Sequence, residues 1–159
     1  LNYWKQYGVD VRGLRFPGLI SWKAPAGGGT TDHAVDIFRA AIEFGHYECF
    51  VSEDTRLPMM YMDDAIRATE RIMEADLESL GDSRAGYNIK GISFTAGELA
   101  DKIAERIPEF TCDFIPDFRQ KVADSWPNDV DDQPARDDWG WKADYDLGRM
   151  VDEMISNIS

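Results

Sequence analysis

The chain has 159 residues, 43% of them hydrophobic and 30% charged, with a formal net charge of -13 and a pI near 4.4. That length and balance fit a globular protein with a core, or a piece of a larger one, and exclude a disordered or fibrous chain. The acidic surplus repels phosphate backbones and anionic membrane surfaces, so neither nucleic acid nor a membrane is an expected partner.

Taken in order, Leu1 to Tyr7 reads as the end of a helix, stopped by Gly8. Val9 to Phe16 alternates apolar and polar residues and predicts a strand. The stretch from Leu14 to Asp32 organises the rest. Its apolar run meets Pro17-Gly18, where proline removes a backbone donor and glycine offers no side chain to hold a ligand away. Gly27-Gly28-Gly29 then leads through Thr30-Thr31-Asp32 into a helix carrying Ala34, Ile37, Phe38, Ala41 and Ile42, with a stop at Gly45. Hydroxyls and helix N–H groups converging there suit an anion.

Tyr47 to Val51 and Met59 to Met62 are short strands, and Asp63-Asp64 caps a helix whose inner face is Ala65, Ile66, Ala68, Thr69, Ile72 and Met73. Ser79 to Gly86 reads as a polar loop and Gly86 to Ile89 as a strand. Thr95 and Glu98 have the spacing of a capping box for a helix bearing Leu99, Ile103 and Ile107. Thr111 to Ile115 is a further strand, and regularity fades between Pro116 and Pro134. Pro134 starts a short helix ending at Gly140, and Asp146 caps a last helix with Leu147, Met150, Val151, Met154, Ile155 and Ile158 inside. The whole is α/β.

Cys49 and Cys112 stand apart from each other and from any histidine pair, so they read as small core residues, and no metal site is expected. His33 and His46 are isolated and receive no catalytic or metal role. The neighbouring pairs Asp63-Asp64, Asp131-Asp132 and Asp137-Asp138 point apart on a helix and read as caps and surface. Arg15, Arg119 and Arg136 could grip an anion or balance nearby acids.

Several segments together resemble the C-terminal part of the extended short-chain dehydrogenase/reductase superfamily, the NAD-dependent epimerase/dehydratase group, and within it the L-threonine 3-dehydrogenases. They are Tyr7 to Arg12, Leu14 to Trp22, Gly27 to Asp32, Leu57 to Ile66, Pro116 to Gln120 and Asp124-Ser125-Trp126-Pro127. The resemblance implies an extended Rossmann-type fold whose N-terminal glycine-rich half is missing. On that reading, residues 1–22 end the Rossmann-like core and residues 23–159 are mainly the substrate-binding region, with core elements interleaved.

The activity implied is oxidation of the L-threonine β-hydroxyl to 2-amino-3-oxobutanoate by hydride transfer to NAD. Pro17, Gly18 and Leu19 match the segment beside the nicotinamide; an ordinary strand-to-loop bend with a buried leucine is the plainer alternative. Thr30 and Thr31 match the threonines that hold the substrate, a role compatible with capping the helix. Trp126 matches the tryptophan of the substrate pocket, although tryptophans are more often plain core. No tyrosine here has a lysine four residues later, and there is no glycine-rich dinucleotide turn, so no catalytic residue is assigned.

The expectation is therefore a fragment of a longer, intracellular protein, cytoplasmic or of the mitochondrial matrix, inactive when isolated and binding NAD poorly by itself. The first residue being leucine and the lack of a secretory signal point the same way. A nucleotide-sugar epimerase or dehydratase is the alternative within the fold. A non-catalytic, self-associating remnant is the alternative outside it, and a homodimer or higher assembly is expected because strand edges would be left unpaired.

Overall fold

The computed structural model describes residues 1–158. Helix α1 (Asn2–Tyr7) ends at Gly8, whose φ of 67° is the left-handed turn that glycine accepts without strain. Strands β1 (Leu14–Arg15) and β2 (Gly18–Ile20) lead to a 3-10 turn (Thr30–Asp32) and helix α2 (His33–Phe44). Then come β3 (His46–Cys49), β4 (Arg56–Tyr61), α3 (Met62–Glu74), β5 (Tyr87–Asn88), β6 (Ile92–Thr95) and α4 (Ala96–Ala104). The chain closes with β7 (Thr111–Phe114), α5 (Gln120–Ala123), α6 (Gln133–Trp139) and α7 (Leu147–Ile158).

Strand β4 is the centre. Beside it lies β2 in parallel, Gly18 opposite Met59 and Ile20 opposite Tyr61, and on its other edge β6 runs antiparallel, Arg56 opposite Thr95. Side chains alternate across a strand, so Leu57, Met59 and Tyr61 enter one core while Met60 enters another. A strand buried on both faces needs a continuous apolar run, and Leu57 to Tyr61 supplies it. The first core joins α2, α4 and α7 through Phe38, Leu99, Ile103, Met150 and Met154; the second joins α3 and α6 through Ala68, Ile72, Tyr87, Trp139 and Trp141. Two more parallel pairs, β1 with β5 and β3 with β7, flank this arrangement. The α/β class read from the sequence is the class of the structure.

Several sequence expectations need correction. Val9 to Phe16 is not one strand: only Leu14 and Arg15 pair, because Arg12 is drawn away to the end of α3. Its guanidinium donates to the carbonyls of Ile72, Met73 (3.0 Å) and Ala75 (2.7 Å), which α3 leaves without helical partners. Ile66 and Met73 face solvent rather than the core. The Ser79 to Gly86 segment is wound around a buried arginine: Arg84 donates to the carbonyls of Leu77 and Leu80 and stacks on Trp4 at 3.8 Å. The sequence reading missed β6 and the single turn α5.

The carboxylate pairs are also more than caps and surface. Asp64 is buried and accepts from the N–H groups of Asp144 (3.1 Å) and Tyr145 (3.1 Å) while pairing with Arg67, so it ties the chain before α7 to α3. Asp138 accepts from the Tyr87 hydroxyl and from Gly81 N–H (3.0 Å), and Asp132 is buried beside Arg136 at 3.0 Å. By contrast, the Thr95–Glu98 capping box forms in both directions, at 3.0 and 2.8 Å, and Arg149 N–H donates to Asp146 at 2.8 Å.

Cys49 is buried, Cys112 half-buried, and both are free thiols. Among the described residues no cluster of histidine, cysteine and acidic side chains could hold a metal ion, and no helix is long and apolar enough to cross a membrane.

Candidate functional site

The glycine loop before α2 is organised by Asp32. Its carboxylate accepts from the N–H groups of Gly28 and Gly29 (2.6 Å), and Gly28 sits at a φ of 98°, where a side chain would be strained. These amides are thus occupied by a carboxylate of the chain itself. Thr30 and Thr31 are half-buried on the 3-10 turn. His33, buried at the start of α2, has Nδ1 3.1 Å from the Thr30 carbonyl. A carbonyl only accepts, so Nδ1 carries the proton. Burial holds the imidazole below its ordinary value, against the raising effects of that carbonyl and of Asp32, so the ring is neutral at pH 7.

Gly18 is the hinge between the two candidate regions. A Cβ built there would run into Met59 Sδ and stand 2.8 Å from Thr31 Cγ2. A side chain at Gly18 would therefore overlap the chain's own Thr31 and Met59. Leu19 is 38% exposed in this chain. Among the described residues β2 pairs on one side only, with β4, and Pro17 and Leu19 flank Gly18 along its open edge.

Trp126 is 39% exposed and lies just beyond α5, its N–H donating to the Ala123 carbonyl at 3.0 Å. The α5 turn packs against the Thr30–Asp32 turn. Three separate stretches, Pro17 to Leu19, Thr30-Thr31 and the turn leading to Trp126, thus assemble around one corner of the fold. A hollow of about 520 Å³ lined by Trp4, Lys5, Leu77 and Arg84 contains none of these residues.

Arg15, Arg119 and Arg136 balance local groups rather than converge on an anion. Arg15 donates to the Gly86 carbonyl, Arg119 pairs with Asp117 at 2.7 Å, and Arg136 pairs with Asp132. Asp32 and Gln120 lie in segments that carry the family resemblance, but sequence reading gave neither a role of its own in this corner. Asp32 could have been found from its place after three glycines; Gln120 had no local signal.

No family model matches the sequence. A mitochondrial L-threonine 3-dehydrogenase of Bos taurus is 50% identical over 155 residues, which is 97% of this chain and 41% of the relative. An uncharacterized epimerase/dehydratase of Staphylococcus aureus is 45% identical over 98% of this chain and 49% of its own. The solved GalE-like L-threonine dehydrogenase of Cupriavidus necator superposes with a TM-score of 0.94 at 54% identity, covering 99% of this chain and 56% of that one. The chain belongs to the extended short-chain dehydrogenase/reductase superfamily. It corresponds to a C-terminal portion of that fold and spans about half the length of the relatives it matches.

A superfamily member using a dinucleotide must hold both a ring and a pyrophosphate. Among the described residues, Pro17 to Leu19 present an exposed leucine and a strand edge without a second partner. A pyrophosphate is normally cradled by a glycine-rich strand-to-helix turn, and the 159 residues contain no such motif.

Proposed function

We propose that this chain is the substrate-side portion of an NAD-dependent L-threonine 3-dehydrogenase, whose whole protein oxidises the β-hydroxyl of L-threonine to 2-amino-3-oxobutanoate. Bound NAD supplies the hydride acceptor. Pro17, Gly18 and Leu19 form the wall beside the nicotinamide. Thr30 and Thr31 receive the substrate through their hydroxyls, and Trp126 closes over its aliphatic part. In this reading residues 1–22 complete the nucleotide-binding core, and most of residues 23–159 serve the substrate.

The observation that carries the reading is the contact between Gly18 and Thr31, which joins the ring-side strand to the double-threonine turn. Support comes from relatives named as threonine dehydrogenases that match nearly the whole chain. The isolated chain has no Tyr-x-x-x-Lys pair and so carries out no hydride transfer by itself. Tyr3, Tyr7 and Val9 leave a strip of apolar side chains exposed, and the isolated chain self-associates through it. A clean monomer in light scattering refutes that part.

The deciding experiment offers the complete protein L-threonine, followed by NADH formation, and separately a UDP-sugar, followed by chromatography of its epimerised or dehydrated product because those reactions leave NAD unchanged overall. Turnover of threonine is expected, with Thr31→Ala raising KM by roughly tenfold or more, the scale of a lost hydrogen bond to a charged group. Turnover of the UDP-sugar alone overturns the reading in favour of an epimerase or dehydratase.

A further inference from the structure

The corner where the α5 turn leading to Trp126 packs on Thr30-Thr31 stands on a 3-10 turn and a single helical turn, neither of which holds its place unaided. Both rest on the loop between β3 and β4. That loop is footed on α4: Ala96 N–H donates to the Thr55 carbonyl at 3.2 Å and Gly97 N–H to the Glu53 carbonyl at 2.9 Å. On one side, the His33 and Phe50 rings pack perpendicular with centroids 5.8 Å apart, and the Arg119 guanidinium lies 3.2 Å from the centre of the Phe50 ring.

On the other side stands Gln120. Its Oε1 accepts from Ser52 N–H at 2.7 Å and lies 3.2 Å from both Ser52 Oγ and Thr55 Oγ1. Its Nε2 lies 3.0 Å from Thr55 Oγ1 and 2.6 Å from Asp124 Oδ1. A backbone N–H can only donate and a carboxylate only accept, so the amide orientation is fixed from both ends. Asp124 N–H returns to the Gln120 carbonyl at 2.9 Å, and Trp126 N–H to that of Ala123 at 3.0 Å, so whatever holds Gln120 and Asp124 holds Trp126.

We infer that Gln120 is a positioning residue, a strut between the Ser52–Thr55 loop and Asp124 that sets Trp126 against the Thr30-Thr31 turn and thereby governs affinity for the amino-acid substrate. The functional half of this inference rests on the substrate role proposed above for Trp126; the structural half does not. Only an amide offers one acceptor and one donor here. Glutamate would keep the bonds to Ser52 and Thr55 but turn a carboxylate on Asp124.

The test uses that asymmetry. In the 159-residue chain labelled with 5-fluorotryptophan, five fluorine resonances are expected, and Trp126→Phe identifies the relevant one. Gln120→Glu should shift or broaden the Trp126 line while leaving those of Trp139 and Trp141, in the second core, in place. Gln120→Glu with Asp124→Asn exchanges acceptor and donor and should restore it. In the complete protein, Gln120→Glu should raise KM for L-threonine about tenfold, with kcat within about twofold, and the double variant should recover KM.

If the Trp126 line moves and is rescued while the wild-type protein does not oxidise threonine, the proposed activity falls and the strut stands. If the wild type turns over threonine but Gln120→Glu changes neither the line nor KM, or the double variant fails to rescue both, the strut is refuted. Should Gln120→Glu disturb all five lines, Asp124→Ala, which removes only the partner of Nε2, decides: a change confined to Trp126 supports the strut, and a global change or none overturns it.

Discussion

Replacing Gly18 by alanine tests the contact on which the assembled corner depends. The new methyl would meet Met59 Sδ and lie 2.8 Å from Thr31 Cγ2 and 3.2 Å from Thr31 Cβ. Met59 is fully buried and cannot swing into solvent, and Thr31 Cβ moves only with its turn. Overpacking of this kind costs about 1–3 kcal/mol, because a close-packed interior has no void to take the added carbon. For a domain of this size that lowers the melting temperature by about 2–12 °C.

Urea unfolding of the chain measures the loss, with an unchanged slope expected because the same surface is exposed. Thr31→Ser removes Cγ2 and should return part of the stability in the double variant. Gly18→Ala within about 0.5 kcal/mol of wild type, the range of an ordinary surface change, would refute the filled-contact argument.

Asp64→Ala should destabilise the chain by about 3–5 kcal/mol, because the N–H groups of Asp144 and Tyr145 and the Arg67 guanidinium lose a buried carboxylate; denaturant midpoints check this. Burial depresses His33 below its ordinary 6.5, so the unfolded chain takes up a proton that the folded one refuses. Stability contributed by the neutral ring is full above about pH 7 and declines as pH falls through the ordinary value towards the depressed one; the wild-type minus His33→Phe difference in urea midpoints against pH should show that slope. Burial pushes the Cys112 thiol up to about 12, so alkylation by iodoacetamide at pH 8 should run at least about tenfold slower than for a free thiol, the loss of thiolate outweighing its greater nucleophilicity, and labelling at the free-thiol rate would contradict it.

Local chemistry made much of the fold legible. Gly8, Gly45 and Gly140 each end a helix at a φ of 67°, Thr95 and Glu98 close their capping box, and Asp146 caps α7, because each device involves residues a few positions apart. The three candidate stretches were legible as a family pattern. Their assembly around one corner was not, since Gly18 touches Thr31 only after β2 has paired with β4.

What the sequence by itself determined is the α/β class, the capped and glycine-stopped helix ends, the superfamily and the absence of a Tyr-x-x-x-Lys pair from these residues. Only the tertiary structure decided that Val9 to Gly13 leaves the strand for the end of α3, that Gly18 is filled by the chain itself, that Asp64 is a buried anchor and that Gln120 bridges to Ser52. The reason is sequence distance. Arg12 finds its carbonyls about sixty residues away and Gln120 finds Ser52 nearly seventy away, and no local propensity encodes which distant donor or acceptor the fold will bring within hydrogen-bonding reach.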